Sequence, residues 1–154
     1  MTKENFLTVR WNNILTLGLG ILGLIYVLVA FSTGIWSTKG GLIGLTIIGV
    51  LYWGVIEGHT SMRFAWLREN SEDPVAVHQA FTHPLSLIRK AYNAAFLIFV
   101  IPFFTAVDYS TGFILFTVMI FIRLGINLYT NNVLDFTPEQ YERFPLRIPW
   151  IIEG

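Results

Sequence analysis

Apolar residues in this chain gather into four stretches, at residues 14–31, 42–56, 91–107 and 112–128. A helix needs about 20 apolar residues, within a range near 17–25, to cross the hydrocarbon core of a bilayer. The second stretch reaches that length only when Gly40, Gly41 and the residues after Glu57 are counted with it. A soluble bundle would show a polar face every 3.6 residues, and residues 14–31 and 91–107 show none. The pattern predicts an all-α integral membrane protein with four transmembrane helices.

The residues between the stretches predict the connections. Residues 32–39, with Gly34 and Trp36, form one tight turn, and residues 106–111, with Asp108 as their only charge, form the other. Residues 59–70 contain no helix breaker and keep Met62, Ala65 and Trp66 among Arg63, Arg68 and Glu69. The second helix is therefore expected to project past the bilayer by about 18 Å at 1.5 Å per residue. Asp73 before Pro74 is an N-cap followed by proline at the first helical position, which predicts a short helix over residues 74–81. Thr82, His83 and Pro84 repeat the signal and open the third long helix, which Pro102 should kink. Thr137, Pro138, Glu139 and Gln140 make a capping box, so a further short helix should end before Pro145. Residues 1–13 read as an amphipathic approach, with Trp11 suited to the headgroup layer. The expected organisation is a single domain over residues 1–154, with a cytoplasmic loop at 59–90 and a tail at 131–154.

Charge orients this frame. Lys3, Arg10, Arg63, Arg68, Arg89, Lys90, Arg143 and Arg147 fall on the side shared by both termini and the 59–90 loop. Arg123 lies inside the fourth stretch, and only Lys39 lies opposite. Lys and Arg accumulate in cytoplasmic loops, so both termini are expected in the cytoplasm. The expected location is a bacterial or archaeal inner or plasma membrane. The chain is 54% hydrophobic and 13% charged, about half the charge of a soluble domain. Lys3 and Arg10 before an apolar run imitate a secretory signal. The run is too long, however, and Leu28 occupies a position that cleavage after Ala30 would require to be small. A retained helix is expected.

Composition also excludes some chemistry. The chain has no cysteine, so thiol nucleophiles, iron–sulfur ligation and disulfides are ruled out. Its formal net charge is zero, and nucleic acid is not an expected partner. There is no G-x-S-x-G, no glycine-rich phosphate loop and no metal-binding histidine motif. His78 and His83 are five apart across an expected helix break, which fits no metal motif. A bis-histidine haem site needs facing histidines, and that pattern is absent. An enzyme is the least favoured reading, and it would rest on His59 and Glu57. No cofactor or metal is predicted.

Ionisable residues inside a membrane are functional candidates by default. Glu57 and Arg123 lie roughly 24 Å and 18 Å below the outer helix ends by helical rise. They are expected to pair or share a polar network with His59, Asn93, Asn127 and Tyr129. Such a group could bind a lipid phosphate or a quinone carbonyl, carry a proton, or simply fix the second helix against the fourth. Glycines on the second helix fall in a seam with Gly40/Gly44 and Gly54/Gly58 as two G-x-x-x-G pairs. This seam could be a dimer face or packing within the chain. Phenylalanines at 96, 99, 103, 104, 113, 116 and 121 make the third and fourth helices aromatic all round, so contact with pigment, quinone or neighbouring helices is possible.

Partner docking is assigned to Trp66 and to the proline-braced tail, with Pro145, Pro149, Trp150 and Ile151. The expected function is a non-enzymatic accessory or structural subunit of a larger membrane complex, such as a respiratory or photosynthetic one. Its partners would be membrane lipids and other membrane subunits. The alternative is a small oligomeric transport protein, or a lipid- or quinone-binding protein with an inner-leaflet polar site.

Overall fold

A computed structural model describes residues 6–7, 9–70, 75, 84–105 and 108–133. These residues form four long helices and one 3-10 turn, with no strand among them. Helix α1 spans Val9–Thr33, α2 Lys39–Asn70, α3 Pro84–Thr105 and α4 Tyr109–Val133. Three are long and apolar enough to cross a membrane, at Arg10–Thr33, Lys39–Asn70 and Tyr109–Asn131. In hydrocarbon every backbone N–H and C=O must be satisfied within the protein, which a helix achieves along its own length.

The helix starts follow local chemistry. Thr38 caps α2, its hydroxyl accepting the Gly41 N–H at 3.1 Å. Asp108 caps α4, accepting the N–H groups of Ser110 and Thr111 at 3.0 and 3.2 Å. Pro84 occupies the first position of α3, where its missing N–H leaves no bond unmade. As expected, α2 runs unbroken to Asn70 and α3 begins at Pro84; α3 ends at Thr105, with Pro102 within its last turn. One boundary differs. The helix α1 starts at Val9 instead of near residue 14, because Asn12 and Asn13 turn inward and are bonded by the other helices. Apart from Val75, the expected helix at 74–81 lies outside the described residues, as do the expected helix at 137–144 and the docking residues Pro145, Pro149, Trp150 and Ile151.

The turn between α1 and α2 places Gly34 at φ 78°, ψ 0°, a left-handed conformation that glycine adopts without strain. A 3-10 turn at Ile35–Ser37 follows, and Trp36 packs on Phe31 with ring centroids 5.0 Å apart. Tyr26 donates its hydroxyl to the Gly41 carbonyl at 2.9 Å, tying α1 to α2 near this end.

The bundle has two kinds of interior. Toward the tight turns it is apolar, built from Val27, Ala30, Leu42, Leu45, Phe96, Phe113, Phe116 and Ile120. Phe96 and Phe116 pack at 5.1 Å, and Phe113 meets Phe31 edge-on at 5.8 Å. Phe96, Phe113 and Phe116 fill the protein's own core, and Phe31 lies at its exposed edge. Toward the opposite end the buried groups are polar: Asn12, Asn13, Thr16, His59, Thr60, Arg63, Arg89, Asn93, Arg123, Asn127, Thr130 and Asn131. The outer surface carries exposed Ile21, Leu22, Ile25 and Leu28 on α1, Ile47, Leu51 and Val55 on α2, and Ile114, Val118 and Ile122 on α4. Apolar outside and polar inside is the arrangement suited to lipid, where no hydrophobic force drives helices together and interhelical hydrogen bonds contribute to association.

The two glycine pairs of α2 have different surroundings. Gly44 lies against the Tyr26 ring so closely that a Cβ would overlap it, whereas no described side chain lies within 4 Å of a Cβ added at Gly54 or Gly58. The first pair includes packing within the chain. Of the second pair, Gly54 is exposed and Gly58 half-buried.

Candidate functional site

Helix periodicity assembles the polar end. On α4, Arg123, Asn127 and Asn131 recur every four residues and so share one face. On α1, Asn12 and Thr16 do the same. On α2, Glu57 and Thr60 are three apart. The helices α2, α3 and α4 converge on Arg123. Its guanidinium binds the Glu57 carboxylate through Nη2 and donates from Nε to the Asn93 side-chain oxygen. Arg123 is 3% exposed. Arg89 of α3 also approaches Glu57, with its Nε 3.8 Å from the carboxylate. That distance is an ion pair without a direct hydrogen bond at this nitrogen.

A second network, of neutral groups, adjoins the first and joins α1, α2 and α4. Asn12 is its hub. Its amide nitrogen donates to His59 Nδ1 at 2.9 Å and to the Thr60 hydroxyl at 3.1 Å. Its oxygen accepts from Asn127 at 3.2 Å and Asn131 at 2.6 Å. Asn127 also donates to Thr16 at 2.7 Å, and Asn131 to Asn13 at 2.9 Å. Asn12 thereby uses two donors and two acceptor positions, the full capacity of the amide.

His59 has a defined tautomer in this network. Its Nε2 lies 2.8 Å from the Phe6 carbonyl, which can only accept. Its Nδ1 faces the Asn12 amide nitrogen, which can only donate. The ring therefore carries its proton on Nε2 and accepts at Nδ1. Both nitrogens are engaged inside the protein, so neither is free to ligate a haem iron.

Five of the six sequence-proposed polar site residues are thus brought together: Glu57, Asn93 and Arg123 in the charged network, His59 and Asn127 in the neutral one. The sixth, Tyr129, is exposed on the outside of α4 at 59% and belongs to neither. Trp66 is half-buried near the end of α2. Arg89, Asn12, Asn13, Thr16, Thr60 and Asn131 are members that the sequence reading missed. The available signal was the four-residue spacing of Asn12/Thr16 and Asn127/Asn131, which places a polar pair on one face of each of two otherwise apolar helices. Among the described residues, no group of three His, Asp or Glu side chains comes together as a metal site would require.

Some buried polar atoms make no hydrogen bond within the protein: Tyr52 Oη, Trp53 Nε1, Arg89 Nε, Arg123 Nη1, Asn127 Oδ1 and Thr130 Oγ1. The Tyr52 hydroxyl lies beside Thr16 without a bond of normal geometry. No protein-family model, curated protein or solved structure matches the chain.

Proposed function

We propose that the protein is a non-enzymatic structural subunit of a larger membrane assembly, with four transmembrane helices and both termini in the cytoplasm. The basic end of the bundle, which holds the buried polar cluster, would lie in the cytoplasmic half of the bilayer. The reading rests on one observation: the outward notch on α2. Among the described residues, nothing of a neighbouring element lies within 4 Å of where a side chain at Gly54 or Gly58 would begin, and exposed Ile47, Leu51, Val55 and Met62 lie along the same stripe. Small residues spaced by four let another helix approach closely, so that van der Waals contact and backbone proximity hold the pair in lipid. The polar side chains support a scaffold over a transport path, because most of their bonds are to one another across the helices.

The test replaces Gly54 and Gly58 by leucine in the full chain and purifies it in mild detergent. The wild-type protein should co-purify with other membrane subunits. The double variant should stay folded and lose them. A wild-type protein recovered as a lone monomer, or a variant retaining its partners in the same ratio, contradicts the proposal. A symmetric homo-oligomer that dissociates in the variant would assign the notch to a second copy of this chain and replace the hetero-complex reading.

A further inference from the structure

The amides of the neutral network all point one way, and a single proton sets their direction. His59 Nε2 lies 2.8 Å from the Phe6 carbonyl, which accepts and cannot donate. The ring proton therefore sits on Nε2, and Nδ1 is left as an acceptor. Asn12 meets Nδ1 with its amide nitrogen, which also donates to the Thr60 hydroxyl. The Asn12 oxygen is thereby turned toward α4, where it accepts from Asn127 and Asn131. Those two amides donate onward to Thr16 and Asn13. The bonds run from α4 to α1 and from α1 to α2, and they end on the neutral nitrogen of His59.

A protonated ring donates from both nitrogens. Its Nδ1–H would face the Asn12 NH2, donor against donor, at a side chain only 1% exposed. Asn12 can meet that proton by turning its amide over. Its oxygen would then accept from Nδ1–H and from the Thr60 hydroxyl, but its NH2 would face the nitrogens of Asn127 and Asn131. Asn127 can turn in reply, since its oxygen makes no hydrogen bond within the protein and the Thr16 hydroxyl can donate as well as accept. Asn131 cannot turn alone, because its nitrogen is also held by the Asn13 oxygen. A proton taken up on α2 is thus felt as an unmade bond between α1 and α4.

The charges around the ring do not favour holding that proton. The charged group that acts on His59 is Arg63, one turn further along α2 and 6% exposed. Glu57, on the same helix, is engaged by Arg123 and Arg89. From α1 the ring meets the neutral Asn12, and Arg10 is exposed. From α4 the hub meets the neutral Asn127 and Asn131. Phe6 covers the ring edge-on, with centroids 5.0 Å apart.

We propose that His59 is a pH-sensitive latch, whose protonation reverses the Asn12 hub and loosens the start of α1 from α2 and α4. Histidine is the side chain whose charge changes near neutral pH, and the amide network is the element that this change would bias. The latch rests on hydrogen-bond directions and stands whether or not the α2 notch carries a partner.

The test is nuclear magnetic resonance of the full chain, labelled with nitrogen-15, in detergent micelles between about pH 8 and pH 5, the range in which histidine changes charge. At the upper end the His59 ring should show its proton on Nε2. On acidification the side-chain amide signals of Asn12, Asn127 and Asn131 should shift together, at the midpoint of the His59 titration. In His59→Asn, whose side-chain oxygen can stand in for Nδ1 and does not titrate, those signals should stay in place. Equilibrium unfolding gives a second reading. A histidine buried neutral must charge as the pH falls, so acid should raise the unfolding constant of the wild type relative to His59→Asn, by at most about tenfold per pH unit for one proton. His78 and His83 are common to both chains and cancel in the comparison. Should His59→Asn fold poorly, the wild-type titration decides alone. The proposal is overturned by a proton on Nδ1 at the upper end, or by a ring that does not titrate in this range. Amide signals that stay still while the ring titrates, signals that move equally in His59→Asn, or parallel stability profiles overturn it as well.

Discussion

Asn12 concentrates the chemistry of the polar end in one side chain. Removing its amide leaves Asn127, Asn131 and Thr60 each short of a bond and leaves His59 Nδ1 facing no donor. Single interhelical hydrogen bonds in membrane proteins are worth about 0.6 kcal/mol on average, but an unsatisfied buried group costs about 1–3 kcal/mol. Asn12→Ala should therefore destabilise the bundle by about 2 kcal/mol, read from equilibrium unfolding in mixed micelles. A loss under about 0.5 kcal/mol, the range of ordinary surface changes, would show that the hub is not needed. Asp108 gives a second prediction at this scale, outside the membrane segments. The Thr111 hydroxyl, with the N–H groups of Ser110 and Thr111, holds its carboxyl below its ordinary value of 3.8. Its folded value is depressed, so its contribution to stability is present above pH about 3.8 and is lost as pH falls through the lower folded value. Asp108→Asn should remove this acid-side loss while leaving neutral-pH stability little changed, as asparagine also caps well. Parallel pH profiles for the two proteins between pH 6 and pH 3 would contradict the capping role.

At the scale of elements, glycine position separates packing from docking. Gly44→Leu should destabilise the bundle, because its side chain would enter the space held by Tyr26; overpacking of this kind typically costs about 1–3 kcal/mol. Gly54→Leu should leave stability within about 0.5 kcal/mol of wild type. Equal effects on unfolding would mean that both glycines pack within the chain. The contrast shows where sequence is informative. A G-x-x-x-G spacing declares that a helix presents a shallow groove, but both pairs have the same spacing. Which groove faces Tyr26 depends on the rotation of α2, set by contacts distant in sequence. The helices themselves were legible, because apolar length and capping residues such as Thr38, Asp108 and Pro84 act locally. The start of α1 was not. Asn12 and Asn13 have polar side chains beside a charged segment, and they read as a headgroup approach until partners 47 to 119 residues away account for their burial. For the same reason Glu57 and Arg123 could be paired from helical depth alone, whereas the approach of Arg89, which lies at the edge of its apolar stretch, depends on how α3 is placed against α2. Tyr129 shared the depth of the cluster but lies on the opposite face of α4, and depth alone does not distinguish faces.

For the whole molecule, four helices are joined by a polar interior at one end and aromatic packing at the other, and three of them are long and apolar enough to cross a membrane. The proposed orientation rests on the distribution of Lys and Arg. A single cysteine at Ser37 should be labelled from outside intact cells, and one at Glu69, exposed near the end of α2, should be protected. The reverse pattern would invert the topology. The central claim is that the Glu57–Arg123 pair joins α2 to α4 inside the bundle, and a double-mutant cycle tests it most directly. Glu57→Gln leaves two arginines without their shared carboxylate. Arg123→Gln leaves Glu57 with Arg89 still 3.8 Å away. The first change should therefore cost more than the second, at about 3 kcal/mol, the lower end for breaking a buried pair. The double change should cost less than the sum of the two single changes by at least 1 kcal/mol, a coupling within the range for residues in contact. Additive losses, with no difference between the single variants, would contradict the account.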